Sequence, residues 1–459
     1  MSDRIDSHVR ETDAFTFRME RDPQLRSTIT AVAVFDRSPD WGLLVDRVER
    51  ATRLVPSFRS LLVPSPLHLA PPRWIVDPDF DIGWHLRRIE GPPNQPVDVV
   101  FERAQVAATT AFDPARPLWR FTLFEGLEGG KAALVMKVHH ALTDGVGGIA
   151  LAANVVDLTR EPHDLGPLPP VPAPPVRSRS GHDLIDAGAF AIGRWSRLAG
   201  SAARSVPSGL VHAMRDPGDA MSGMTATANS IARFLQPVTS TSSTVMTRRS
   251  LNRHFSRSDV ELAGLRSAAQ AAGATLNDAF LAGVLGAMRR YHEHHGAPVG
   301  SLRLTLPIST RNENDSVGGN RVTLIRIEMP VAVIDPVERM DRISDLVRRA
   351  RDEPALRYSE GIASALNLLP PSVTGSMLKH VDLVATNVPA FPEPVYMGGA
   401  MIEALYPYAP TIGASANIGL LSYNGRCHIG VTSDPAAIAD PEMFMGCLTE
   451  GFDEVIATS

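Results

Sequence analysis

Hydrophobic positions along this chain recur with two periods, that of a strand and that of a helix. Residues 28–35 (TITAVAVF) are apolar and rich in β-branched side chains, which predicts a strand. Asp40 follows as an N-cap, and Leu44, Val48 and Ala51 then repeat on one face of a helix reaching about Leu54. Trp74, Ile75 and Val76 predict a short strand ended by Asp77-Pro78. A Pro-rich loop over 91–96 leads to a helix over 98–110, with Asp98 as its cap. Residues 120–124 predict another strand, and Glu128-Gly129-Gly130 turns it into the apolar run 132–138. A helix over 147–158 then carries Ile149, Ala152 and Val156 along one side.

Between Pro162 and Pro175 the periodicity stops, and LPPVPAPP over 168–175 predicts an extended polyproline-type spacer. Residues 184–214 set Arg194, Arg197 and Arg204 among Ala, Gly and Leu, and Pro207 breaks the run. That pattern suits a helix packed on the protein or an amphipathic surface touching lipid.

Both periods return near Val245. Ser258 is expected to cap a helix running to Ala271, and Thr275 to open another running to about His292. The stripe of Phe280, Leu281, Val284, Leu285 and Met288 is broad enough to be buried. Strands are expected over 302–308, 321–329, 383–388, 401–405, 413–423 and 426–432, and helices over 338–351 and 444–455. The expected organisation is therefore an N-terminal α/β half (1–161), a Pro-rich linker with a helical segment (162–244), and a C-terminal α/β half (245–459).

Composition narrows the function classes. A chain of 459 residues with 44% hydrophobic and 21% charged residues can bury a large core. Its net charge of −5, without a basic block, argues against nucleic acid as a partner. The two cysteines, Cys427 and Cys447, have no metal-like spacing and suit a reducing cytoplasm. The polar N-terminus lacks an apolar signal core, and no window reads as a membrane span. His292, His294 and His295 close a helix without a remote ligand cluster, so no metal is expected.

The chemistry centres on the strand ending in His139-His140, followed by Asp144-Gly145. At this composition roughly 0.003 chance matches to such a motif are expected, so accident is a poor account of it. Neighbouring strand residues face opposite ways, so one imidazole can face a cleft while the other turns inward. A neutral imidazole is the side chain best suited to accept a proton near pH 7. Asp144 can cap the next helix or pair with an Arg, and Gly145 permits a tight turn or close backbone approach.

Other blocks accompany this motif. They are Pro56-Ser-Phe-Arg59, Trp74-Ile-Val-Asp77 with Asp81 and His85, Pro117-Leu118-Trp119, Asn277-Asp278, and Pro307-Ile-Ser309-x-Arg311 with Gly319-Asn320. Asn387-Val-Pro389 and Ser422-Tyr423-x-Gly425 with Asp434 complete the set. In this order, over most of the chain, they resemble the bacterial wax ester synthase/diacylglycerol acyltransferase family. Two departures stand out: Ala390 where that family usually has Gly, and a Ser/Thr-rich stretch over 239–245.

The resemblance implies an α/β fold of two chloramphenicol-acetyltransferase-like domains, with mixed open sheets and a channel between them. It implies transfer from acyl-CoA, without a cofactor, to diacylglycerol or a long-chain alcohol. His140 would be the general base and Asn277, at a helix start, the oxyanion donor. His139 would be structural, and Asp144 would hold its loop, with Arg311 as its expected partner. Trp119 is expected as a packing anchor, with Pro117, Leu118 and Asp278 in supporting positions. A cytoplasmic enzyme docking on membrane or lipid droplets follows from such substrates. Two alternatives stand beside it: transfer to natural-product or carrier-bound acceptors, and a catalytically weak acyl-CoA- or lipid-binding relative.

Overall fold

The computed structural model describes residues 8–66, 70–172, 240–309, 322–376 and 378–459. Two six-stranded sheets dominate it. The first is built mainly from β1 (Thr28–Phe35), β4 (Leu86–Gln95), β5 (Trp119–Leu127) and β6 (Ala132–His139). A two-stranded ribbon, β2 (Ser60–Val63) and β3 (Arg73–Val76), stands apart. The second sheet holds β7 (His254–Glu261), β8 (Ser301–Ser309), β9 (Val322–Pro330), β10 (Leu383–Pro389), β13 (Ala416–Tyr423) and β14 (Arg426–Ser433). Parallel and antiparallel neighbours occur in both sheets.

The remaining strands, β11 (Tyr396–Met397) and β12 (Ala400–Tyr408), follow β10 in sequence yet pair in the first sheet, in the order β11-β12-β1-β6-β5-β4. The C-terminal half thus lends two strands to the N-terminal sheet, β12 being the one beside β1. Its pattern alternates, but its inward residues serve the other core, where Ile402 and Leu405 are buried. Gly430 of β14 makes the crossing possible, because a Cβ there would meet the Pro407 carbonyl oxygen at 1.9 Å. A partly buried bridge fastens the crossing: Tyr406 Oη donates to Asp259 Oδ2 at 3.0 Å, and His428 Nδ1 lies 2.7 Å from Asp259 Oδ1.

The helices in chain order are α1 (Glu11–Met19), α2 (Trp41–Leu54), α3 (Ile82–His85), α4 (Asp98–Thr109), α5 (Gly145–Ala152), α6 (Leu262–Ala271), α7 (Leu276–His294), α8 (Pro336–Arg351), α9 (Ser359–Leu366), α10 (Pro371–Ser376) and α11 (Pro441–Ile456). Asp40 caps α2 by accepting from the Leu43 N–H, as its position predicts. The expected cap at Ser258 is corrected: that residue lies within β7, and α6 starts at Leu262 after Glu261. β7 (HFSRSDVE) has only two buried apolar residues, Phe255 and Val260, five apart and in different cores, so no period-two stripe marks it as a strand. Asp98 is likewise inside the first turn of α4, with Val97 at the N-cap. The helix expected over 147–158 starts earlier and ends at Ala152.

The start of the Pro-rich spacer is strapped to α2. Arg47, Arg50 and Arg53, three residues apart and so on one helical flank, donate to the carbonyls of His163, Pro167 and Pro169. The 184–214 helices lie outside the described residues. No single helix among the described residues is long and apolar enough to cross a membrane. The bent pair α6–α7 passes on composition alone, yet its apolar residues form the core of the second sheet.

Candidate active site

β6, an inner strand, delivers the His pair to one end of the first sheet. Val138 pairs with Trp119 on one side, and His139 pairs with Thr28 on the other. Beyond His139 the strand ends, and the His140 N–H donates to the Ser27 carbonyl at 2.9 Å. The chain then turns into α5. Asp144 caps that helix through the Gly147 N–H at 2.6 Å, and its carbonyl accepts from Gly148. Gly145 lies against β10: a Cβ there would stand 2.7 Å from Val388 Cγ2. This close approach joins the His-motif loop to the Asn387-Val-Pro389 motif of the other half.

The two imidazoles face different surroundings. His139 is fully buried, and its Nδ1 accepts the Ala141 N–H at 3.0 Å. Its ring proton is therefore on Nε2, which lies 3.4 Å from Glu20 Oε2. Phe17 and Phe112 stand edge-on to the ring. Burial acts to raise the Glu20 carboxyl. The facing Nε2–H of His139, the Ser27 N–H and Arg26 outweigh that and hold it below the usual Glu range. His139, Phe17, Phe112 and Leu118 border one cavity of about 440 Å³.

His140 lines a different cavity, of about 200 Å³, between the two halves. Phe15 and Met19 of α1, Leu324 of β9, Ile362 and Leu366 of α9, and Leu25 make its walls apolar. Ser27, Thr305, Thr323 and Arg326 supply its polar points. Burial pushes the His140 imidazole below its ordinary value; Asp144 opposes this and His139 adds to it. Its Nδ1 is sealed from solvent without a partner from another of the described residues, and its own carbonyl acts on the ring. Above the cavity α1 is latched to α9: Thr12 Oγ1 donates to Glu360 at 3.1 Å, and Asn367 Nδ2 to the Glu11 carbonyl at 2.9 Å.

The other motif residues divide clearly. Trp119 is 2% exposed; its Nε1 donates to the Phe58 carbonyl at 2.7 Å, and its ring stacks on His85 with centroids 4.6 Å apart. Three motif blocks, those of Phe58, His85 and Trp119, therefore pack as one support under the His strand. Leu118 accepts the His139 N–H, so Pro117-Leu118-Trp119 sets the register of that strand. Thr275, and not Asn277, caps α7, in a reciprocal box with Asp278. Asn277 is half-buried in the first turn of α7, and it does not line the His140 cavity. Arg311, Gly319 and Asn320 lie outside the described residues. His292 is a core residue, bonded through Nδ1 to the Met288 carbonyl and through Nε2 to Ser243 Oγ, each at 2.8 Å. No group of His, Cys, Asp and Glu among the described residues could hold a metal.

Glu20 and α1 are the site residues that sequence reasoning missed. The periodicity of α1 is weak, and nothing local marks Glu20 as the neighbour of a histidine over a hundred residues away.

This arrangement, a His at the end of a sheet facing a lipophilic cavity between two sheet-bearing halves, is that of a two-lobed acyltransferase. Known proteins agree. The family model described as the wax ester synthase/diacylglycerol acyltransferase catalytic domain matches residues 9–280, and that of the corresponding C-terminal domain matches residues 318–455. The chain belongs to the wax ester synthase/diacylglycerol acyltransferase family. A Mycobacterium tuberculosis protein named as a diacylglycerol O-acyltransferase is 37% identical, over 99% of this chain and 93% of its own length. Another from that organism is 26% identical, over 98% of this chain and 95% of its own length. Among solved structures, the Marinobacter aquaeolei VT8 wax ester synthase/diacylglycerol acyltransferase superposes with a TM-score of 0.63 at 20% identity, covering 98% of each chain. A starter condensation domain of rhizomide synthetase, solved with C8-CoA, gives 0.61 at 12% identity, covering 99% of this chain and 95% of that one.

Proposed function

We propose that the protein esterifies diacylglycerol or a long-chain alcohol with the acyl group of acyl-CoA, with His140 as general base. The observation that carries this is the position of His140 on an apolar cavity built from both halves. The thioester is already activated, so only the hydroxyl needs help. Nε2 of the neutral imidazole takes the hydroxyl proton as the oxygen bonds to the thioester carbonyl carbon. The tetrahedral intermediate collapses, the C–S bond breaks with its electrons going to sulfur, and the imidazolium returns the proton to the CoA thiolate. No cofactor enters this scheme.

The depressed His140 pKa supports the role, because the ring is then neutral at physiological pH. The tetrahedral oxyanion needs a donor, and motif order supports Asn277. An Asn277→Ala variant with unchanged kcat removes that assignment. Leu368, Leu369 and Val373, exposed beside the cavity-lining Leu366 and Thr374, support docking on a membrane or lipid droplet from the cytoplasm. The test is radiolabelled palmitoyl-CoA with hexadecanol or diolein, resolved by thin-layer chromatography, using wild type and His140→Ala. Ester from the wild type alone is expected. No ester from either acceptor and no CoA release overturn the reading.

A further inference from the structure

The cavity of about 440 Å³ lies across α1 from the His140 cavity. One helix walls both: Phe15 and Thr16 line the His140 side, and Phe17 and Arg18 line this one. The exit of α9 divides in the same way, with Leu366 on the first and Leu368 on the second. The latch of α1 to α9, through Thr12 with Glu360 and Asn367 with Glu11, keeps the partition in place. His140 lines only the first of the two, so an occupant of the second does not meet the base.

Phe17 and Phe112 are half-buried and Leu368 is exposed, so this cavity presents open apolar surface. Arg18 and Arg21 line it as well. The Arg21 N–H donates to the Arg18 carbonyl, so the helical turn continues and both side chains leave on one side. Arg18 Nη2 donates to the Leu369 carbonyl at 3.1 Å, and among the described residues neither guanidinium pairs with a carboxylate. The two carboxylates of the lining are engaged elsewhere: Glu11 accepts from Asn367 Nδ2 at 3.0 Å, and Glu20 accepts from the Ser27 N–H and faces His139. Burial and the charge of Arg21 push the Arg18 guanidinium below its ordinary value, as two like charges without a counter-charge must. Apolar space ending at two such cations suits a lipid whose negative charge sits directly on its chain. A neutral alcohol or diacylglycerol leaves the cations uncompensated, and an acyl thioester has no charge beside its chain.

We propose that this cavity binds a free fatty acid, with its carboxylate on Arg18 and Arg21 and its chain against Phe17 and Phe112. Both of those rings stand edge-on to His139, so a bound chain braces the packing around the inner histidine without entering the transfer cavity. The site is tested by binding, so the result holds whether or not ester is formed. Laurate, dodecanol and lauroyl-lysophosphatidate are titrated calorimetrically into wild type, Arg21→Glu, the double variant Arg18→Met/Arg21→Met, and Ala363→Phe, which fills the His140 cavity instead. Arg21 is exposed, so Arg21→Glu reverses a charge without disturbing the core. Laurate is expected to bind wild type and Ala363→Phe equally, and both arginine variants about tenfold more weakly, the size of a lost charge-assisted hydrogen bond. It should also raise the melting temperature of wild type and not that of the double variant. Dodecanol should bind wild type at least about tenfold more weakly than laurate and ignore the arginine changes. No laurate binding, equal binding of dodecanol, or affinity unchanged by both arginine variants overturns the proposal. A loss confined to Ala363→Phe places the acid in the His140 cavity, and tighter binding of lauroyl-lysophosphatidate makes the head group a phosphate; either result also overturns it.

Discussion

Glu20 Oε2 lies 3.4 Å from His139 Nε2 and also accepts the Ser27 N–H at 3.0 Å. Ser27 in turn accepts the His140 N–H through its carbonyl. One carboxylate thus fixes the ring of the inner histidine and the strand segment that holds the backbone of the outer one. Glu20→Gln removes the charge and keeps the shape. At pH 7 the variant is expected to lose about 1–2 kcal/mol of stability, the size of a charge-assisted hydrogen bond. The Glu20 pKa is depressed in the folded state. Its contribution is therefore fully present above the ordinary Glu value and is lost as pH falls through the folded pKa. Urea melts of wild type and variant should differ at pH 7 and converge as pH falls below the ordinary Glu range. A gap that persists at low pH assigns the loss to packing.

The His pair should separate by phenotype. His140→Ala is expected to lower kcat by about 10²–10⁴ with a near-normal melting temperature. His139→Ala should instead destabilise the fold by about 1–3 kcal/mol, since it empties a buried site and strands Glu20. Burial places the His140 pKa below the ordinary imidazole value, so the acid limb of kcat/KM against pH should fall below about 6.5. An acid limb above that value would show that the ring is stabilised as imidazolium, against the burial argument.

Legibility in the sequence followed locality. β1, β6 and the Asp40 cap were readable because period and cap lie within a few residues. β4 was not: LRRIEGPPNQ has two prolines and only two aliphatic residues, Leu86 and Ile89, and it survives as an edge strand because an edge needs no inward stripe and tolerates missing N–H groups. The His motif showed where a base would sit, and the flanking motifs showed the family. The cavity was not visible, because its walls come from α1, β9 and α9, whose inward residues look like any core residues. The β12 crossover was hidden for the same reason: pairing across halves leaves no local mark.

Gly145 is a test of that crossing of halves. Its added Cβ would press on Val388, so Gly145→Ala is expected to cost about 1–3 kcal/mol and to shift the start of α5, which anchors the His140 loop. Val388→Ala opens the space, and the double variant should recover most of both losses. A double-mutant cycle by melting and by kcat/KM measures the coupling. Additive effects would mean that this contact does not couple the two positions.

The apolar cavity should act as a ruler for lipid chains. Ala363 of α9 lines it and is buried, so a phenyl ring at that position projects into space that a substrate chain would occupy. Ala363→Phe is expected to leave short substrates nearly untouched and to weaken long ones, because each methylene denied burial forfeits about 0.8 kcal/mol. Three excluded methylenes would lower kcat/KM by about fiftyfold. The measurement is a series of acceptor alcohols of increasing length with one fixed acyl-CoA, followed by the reciprocal series of acyl-CoAs with one short alcohol. Only one series should bend at long chain length, and that series identifies the occupant of the cavity beside His140. A uniform loss in both would instead indicate that the ring had displaced α9, and a melting curve with a lowered midpoint would show it.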